Sequence, residues 1–247
     1  MAFKVVTTSG AIKQSSSGSG GGSSSGLLIG VQRITATGAF TYTPTAGTAS
    51  IIIELLGGGA GGGGCISPTG SLTCVSQGGG GAAWLRKRLT SGFSGQSGSV
   101  GAKGTGGAAG ANAGNNGTAT TFTDASAVVY SAGGGTGGST GAALGAPNAS
   151  PGAVGGTPAN GDDEQFGWRA TLGISSTTAQ VRGSQGGNSK YGSGGNAGNV
   201  TAANTSGAGG NGNGKGSGGG GAAAVGSGAA VAGGDGTDGY VIIWEYS

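Results

Sequence analysis

Few residues in this chain could do chemistry. The 247 residues include no histidine, which removes the commonest general base and the commonest transition-metal ligand. There are eight carboxylates. Asp162, Asp163 and Glu164 stand side by side, and a glycosidase could draw an acid and a base from such a set. Adjacent acids instead fit a solvated surface, because nothing near them would bury one carboxylate and raise its pKa. Residues 209–216 (GGNGNGKG) come close to a phosphate-binding loop, but Gly216 stands where Ser or Thr is needed. Residues 233–240 (GGDGTDGY) fit one copy of a calcium-binding nonapeptide, a motif that works in tandem arrays. Asp235 and Asp238 are expected to shape the turn into the final strand. Cys65 and Cys74 bracket ISPTGSLT and are either a loop-closing disulfide or two free thiols. The expectation is a protein that is not an enzyme and uses no cofactor or metal.

What remains is recognition chemistry. Phe166, Trp168 and Arg169 lie in residues 144–173, which carry three of the five prolines and read as an elaborate exposed loop. Trp, Tyr and Arg dominate interface hot spots. Tyr191 in residues 185–206, and Ser67 and Leu72 in residues 65–77, complete the candidate contact residues. Trp168 could equally pack inward, since large apolar groups are scarce here.

These side chains need a scaffold, and the scaffold is glycine: 67 of 247 residues. Glycine loses more backbone freedom on folding than any other residue, so this composition ordinarily means disorder. One ordered alternative is a bundle of polyglycine-II helices, with three residues per turn and hydrogen bonds made only to neighbouring helices. Its signature is glycine at every third position. Gly101, Gly104, Gly107 and Gly110 show it, followed after a one-residue slip by Gly114 and Gly117. Gly192, Gly195 and Gly198 repeat it, as do Gly233, Gly236 and Gly239. Five prolines and a broken repeat exclude collagen.

Strand signals frame this field. Residues 31–37 and 39–43 alternate about Gly38 and read as a hairpin with Phe40 and Tyr42 on one face. SIIIELL at 50–56 and YVIIWEY at 240–246 are nearly continuous apolar runs, expected to pair and to close the body. Shorter runs lie at 83–90, 118–123 and 127–131. The expected fold is mainly β with packed polyglycine-II helices, a strand-framed glycine-rich sandwich with almost no α-helix. Residues 1–26 read as an attachment peg and a Gly/Ser linker, and 27–247 as the body, with framing strands at 27–56 and 240–247 around glycine tracts at 57–239. Charged residues are 8% of the chain and the net charge is +3, too little for a nucleic-acid stripe. The N-terminus lacks a signal-peptide core, so synthesis in a cytoplasm is expected.

FTYTPTAGTASIIIELLGGGAGGGG, then the strand with Trp84, VGAKGTGGAAGANAGNNGTATTF, SAGGGTGG and the closing GTDGYVIIWEYS together resemble the glycine-rich domains of bacteriophage tail fibres and receptor-binding adhesins. They are similar to the tip adhesins of T-even-type long tail fibres. The resemblance covers about residues 30–247. It implies polyglycine-II helices whose loops bind a bacterial outer-surface glycan or outer-membrane protein. It also implies a virion location on the tail, other tail proteins held through the N-terminus, and a homotrimer. A purely structural virion protein and an ice-binding polyglycine-II protein are the other classes this composition allows.

Overall fold

The computed structural model describes residues 10–13 (backbone only), 26–177 and 179–247. The rest of the expected peg and linker lies outside the described residues. Within them the secondary structure is strand, in several antiparallel sheets, with no α-helix. The strands gather at the two ends of a bundle of extended glycine segments.

The bundle is legible in its hydrogen bonds. Along residues 57–65 successive N–H groups turn to three neighbours in rotation. Gly58, Gly61 and Gly64 donate to Thr118, Asn115 and Asn112. Gly59, Gly62 and Cys65 donate to Thr237, Gly234 and Val231, while Gly57, Ala60 and Gly63 donate to Ala83, Gly80 and Gln77. The carbonyls accept from three more: Gly58, Gly61 and Gly64 from Gly135, Gly138 and Gly141, Gly59 and Gly62 from Gly104 and Gly107, and Ala60 and Gly63 from Gly219 and Ala222. A repeat of three with bonds only to other segments is polyglycine-II geometry, and six neighbours is hexagonal packing. Residues 76–83 and 216–222 are surrounded in the same way. These three central segments are buried almost throughout, and every buried amide needs the partner that the lattice supplies.

Nine outer segments ring the central three in chain order: 101–110, 112–118, 133–141, 152–156, 167–171, 183–187, 194–198, 209–212 and 232–239. Each runs antiparallel to the next, except that 209–212 and 232–239 are parallel. An odd ring cannot alternate throughout, and the chain meets this by passing through the central segment 216–222 between those two. The expected slip after Gly110 is the turn between 101–110 and 112–118, with Gly110 at φ 106°.

Strands Ser50–Leu56 and Tyr240–Tyr246 pair along their whole length, as expected. They lie in a six-stranded sheet with Leu28–Ile34, Gly10–Lys13, Trp84–Leu89 and Asp163–Gln165. Its inner face packs Ile51, Ile53, Leu55, Leu85 and Val241 against Tyr42, Phe93 and Phe122, which belong to the five-stranded sheet and its connections. The hairpin expected about Gly38 does not form. Leu28–Ile34 pairs with the terminal strand, and Gly38–Thr41 pairs with Ser97–Val100 in the opposing sheet. Crossing between sheets lets Phe40 and Tyr42 face this core and carries Tyr42 to the buried Glu245, which accepts from the Tyr42 hydroxyl at 2.8 Å, Gln32 Nε2 at 2.9 Å and Thr45 N at 2.9 Å.

At the far end two four-stranded sheets face each other over Val75, Val181, Val200, Ala223 and Val225. Cys65 and Cys74 are joined there by a disulfide, which ties the end of segment 57–65 to the start of 76–83. Residues 144–173 are not one exposed loop. Short strands at Ala143–Gly145, Asn148–Ser150, Pro158–Ala159 and Asp163–Gln165 alternate with segments 152–156 and 167–171 of the ring. The reason is the spacing of small residues: Gly152, Ala153, Gly156, Gly167 and Ala170 present bare or nearly bare backbone to the bundle.

Candidate functional site

Segment 167–171 is held on both sides by its backbone. Gly81 N donates to Trp168 O at 2.9 Å, and Trp168 N donates to Asn188 O at 3.3 Å. With three residues per turn, Gly167 and Ala170 face the bundle. A Cβ at Gly167 would lie 2.0 Å from Gly81 O, and Ala170 is buried. The other two positions of each turn must then point outward. Trp168 is 49% exposed and Phe166 65% exposed. Arg169 is exposed too, with Nε donating to Gly152 O at 3.0 Å. The inward reading of Trp168 is therefore corrected: the core is filled without it.

Asn188, which bonds Trp168, leads directly to Lys190 and Tyr191. Lys190 Nζ sits 4.4 Å over the ring of the buried Trp84, a cation–π contact. Tyr191 is anchored three ways. Its hydroxyl donates to Glu54 Oε2 at 2.9 Å, its ring meets Tyr240 edge-on at 5.4 Å, and its strand pairs Tyr191 with Lys215. Burial, then the hydrogen bond to Glu54, pushes the Tyr191 phenol pKa up. The phenol therefore stays neutral and keeps its proton for Glu54. Tyr191 is still 43% exposed.

Phe166, Trp168, Arg169 and Tyr191 thus lie near the junction of the bundle with the larger sandwich. Ser67, which is exposed, and Leu72, which is half-buried and paired with Gly145, lie at the other end. Segment 57–65 spans the gap, about 25 Å at 3.1 Å per residue. The structure does not bring the two groups together. Sequence reasoning missed Lys190, Glu54 and Tyr240, because their partnerships cross the chain; Glu54 is 137 residues from Tyr191.

The acidic run has structural work. Asp162 accepts from Lys87 Nζ at 2.6 Å and from Arg88 N at 2.9 Å, and Asp163 pairs with Arg86 at 3.2 Å. The Arg88 amide, then Lys87, holds the Asp162 carboxyl below its ordinary pKa, opposite to what a general acid needs. Asp235 and Asp238 do not shape the final turn. Asp235 accepts from Lys103 Nζ at 2.7 Å and Gly106 N at 2.8 Å, and Asp238 from Lys103 N at 2.9 Å, so they bind segment 232–239 to 101–110.

The profile of a glycine-rich domain matches residues 34–246. The chain belongs to that glycine-rich domain family. The match runs from the end of strand Leu28–Ile34 through the whole bundle into the terminal strand. No curated protein matches the chain.

Proposed function

We propose that this protein is a bacteriophage tail-fibre or tail-tip receptor-binding protein that grips a bacterial surface glycan or outer-membrane protein. The observation that carries the reading is the pair Phe166 and Trp168, left 65% and 49% exposed, the second on a segment whose backbone is locked into the bundle and the first just before it. Rigid, exposed aromatics lose little entropy on binding and are the residues hot spots favour. The Cys65–Cys74 disulfide suits a protein that works outside a reducing cytoplasm. In this reading the N-terminal residues join other tail proteins, several copies act together as a trimer, and weak contacts add through avidity.

The test uses labelled full-length protein on a panel of bacterial strains. Wild type should bind a subset of strains. Trp168→Ala should keep the melting temperature and weaken binding by about 2 kcal/mol, as for a hot spot. Unchanged binding by Trp168→Ala, or no binding to any strain, would reject the proposal.

A further inference from the structure

Beside Tyr191 a cleft of about 320 Å³ opens between the six-stranded sheet and the antiparallel strand pair Tyr191–Ser193/Asn213–Lys215. It is lined by Arg33, Thr35, Tyr191, Lys215, Tyr240 and Ile242, and its volume is at the small end of ligand pockets. Two features meet in it. One is an immobilised aromatic wall: Tyr240 is buried, Tyr191 is fixed against it, and the hydroxyl of Tyr191 is held by the buried Glu54. The other is unspent positive charge. The ion pairs among the described residues are Arg86–Asp163, Lys87–Asp162 and Lys103–Asp235, and neither Arg33 nor Lys215 takes part in one.

The register explains how the two features meet. Arg33 lies opposite Ile242, Ile242 opposite Glu54, and Glu54 opposite Arg86, in one row across the sheet. Arg86 takes Asp163 and Glu54 takes the Tyr191 hydroxyl, while Arg33, whose other neighbour in the row is Gly10, takes neither. Lys215 reaches the cleft from the opposite side, on the strand that pairs with Tyr191.

We propose that this cleft binds a carboxylate-bearing sugar. The ring face of the sugar lies on Tyr191, as sugar C–H faces do on aromatic side chains. Its carboxylate is taken by Arg33, whose guanidinium forks across both oxygens, with Lys215 as a second charge. Only an acidic sugar can pair with the two cations, so the cleft favours acid over neutral sugar by that pairing. This deepens the receptor-binding reading by naming its ligand class, but the binding itself can be measured without cells.

The test is calorimetry and NMR titration of full-length protein with three probes: an oligogalacturonate, a hyaluronan tetrasaccharide and sialyllactose, each beside a neutral oligosaccharide of similar length. At least one acidic probe should bind about tenfold or more tighter than its neutral counterpart, less so in high salt. Arg33→Gln and Lys215→Gln should each reduce that binding, by about tenfold for Arg33→Gln if one charge-assisted pair is lost. Tyr191→Phe keeps the ring and should bind, while Tyr191→Ala should not. Melting curves confirm that each variant is folded. The proposal is overturned if no acidic probe binds, if neutral probes bind as well, or if folded Arg33→Gln binds like wild type. If strains still bind the protein through Trp168 in that case, the receptor-binding reading stands without this cleft. If acidic sugars bind through Arg33 but no strain does, the cleft stands and the receptor-binding reading falls.

Discussion

Replacing Gly61 by alanine adds one methyl group, and the lattice has no room for it. A Cβ there would lie 1.9 Å from Thr105 O and 2.3 Å from Thr105 C. Ordinary contact is roughly 3.5 Å, so segment 101–110 must move by about 1.5 Å. That segment is tied to the centre by Gly104 N to Gly59 O at 2.8 Å, Gly107 N to Gly62 O at 2.8 Å and Gly110 N to Cys65 O at 3.1 Å. The displacement takes all three beyond hydrogen-bond range. Counting one stranded group per lost bond at about 1–3 kcal/mol, Gly61→Ala should cost about 3–9 kcal/mol, with partial relaxation favouring the lower figure. Gly145→Ala is the control, because a Cβ there meets nothing within 4 Å. It should be neutral or stabilising by up to about 1 kcal/mol, since alanine restricts the unfolded chain. Urea melts of the three proteins measure the difference. Equal costs at the two positions, or a cost below about 0.5 kcal/mol for Gly61→Ala, would refute the close-packed lattice, since ordinary surface substitutions fall within that range.

Reducing Cys65–Cys74 opens a loop with a sequence separation of 9 and should cost about 3 kcal/mol in the chain-entropy account, read as a lower melting temperature in reductant. Glu245→Ala strands the fully buried Tyr42 hydroxyl and the half-buried Thr45 amide, and should cost about 3–5 kcal/mol in a denaturant melt. Stability should be nearly flat between pH 5 and pH 8, because the chain has no histidine. Asp124, Asp162 and Asp235 have folded pKa values below the ordinary 3.8, so their contribution is full above that value and is lost as the pH falls through their folded values. Melts across pH 2–8 check this, and Asp235→Asn should lessen the acid-side decline.

Much of the scaffold was legible. Glycine at every third position fits a threefold segment, and the two apolar runs at 50–56 and 240–246, equal in length and both largely buried, are natural partners. The arrangement of the bundle was not legible. A glycine segment carries no side chain to say which neighbour it prefers, so any segment could in principle lie beside any other. The ring order comes from short connections between successive segments, and the central places fall to runs such as 57–64 and 218–221, in which nearly every position lacks a Cβ. Alternation about Gly38 misled because it marks a one-sided strand and does not name the partner. Phe166 and Trp168 stood out as aromatics in a non-repetitive stretch, but the sequence could not say whether Trp168 faced in or out, because that depends on which positions of segment 167–171 the bundle takes. Tyr191 stood out less, because what fixes it, Glu54 and Tyr240, comes from strands far away in the chain.

Native-state hydrogen exchange on the full-length protein tests the central claim, that a backbone lattice is the interior of this molecule. The amides of Gly58, Gly61, Gly62 and Gly79 should exchange only through global unfolding, as slowly as those of Ile53 and Ile243 in the paired strands. Exchange of the glycine amides within minutes, while the strand amides stay protected, would contradict it and would reduce the glycine segments to loose filling between two sandwiches.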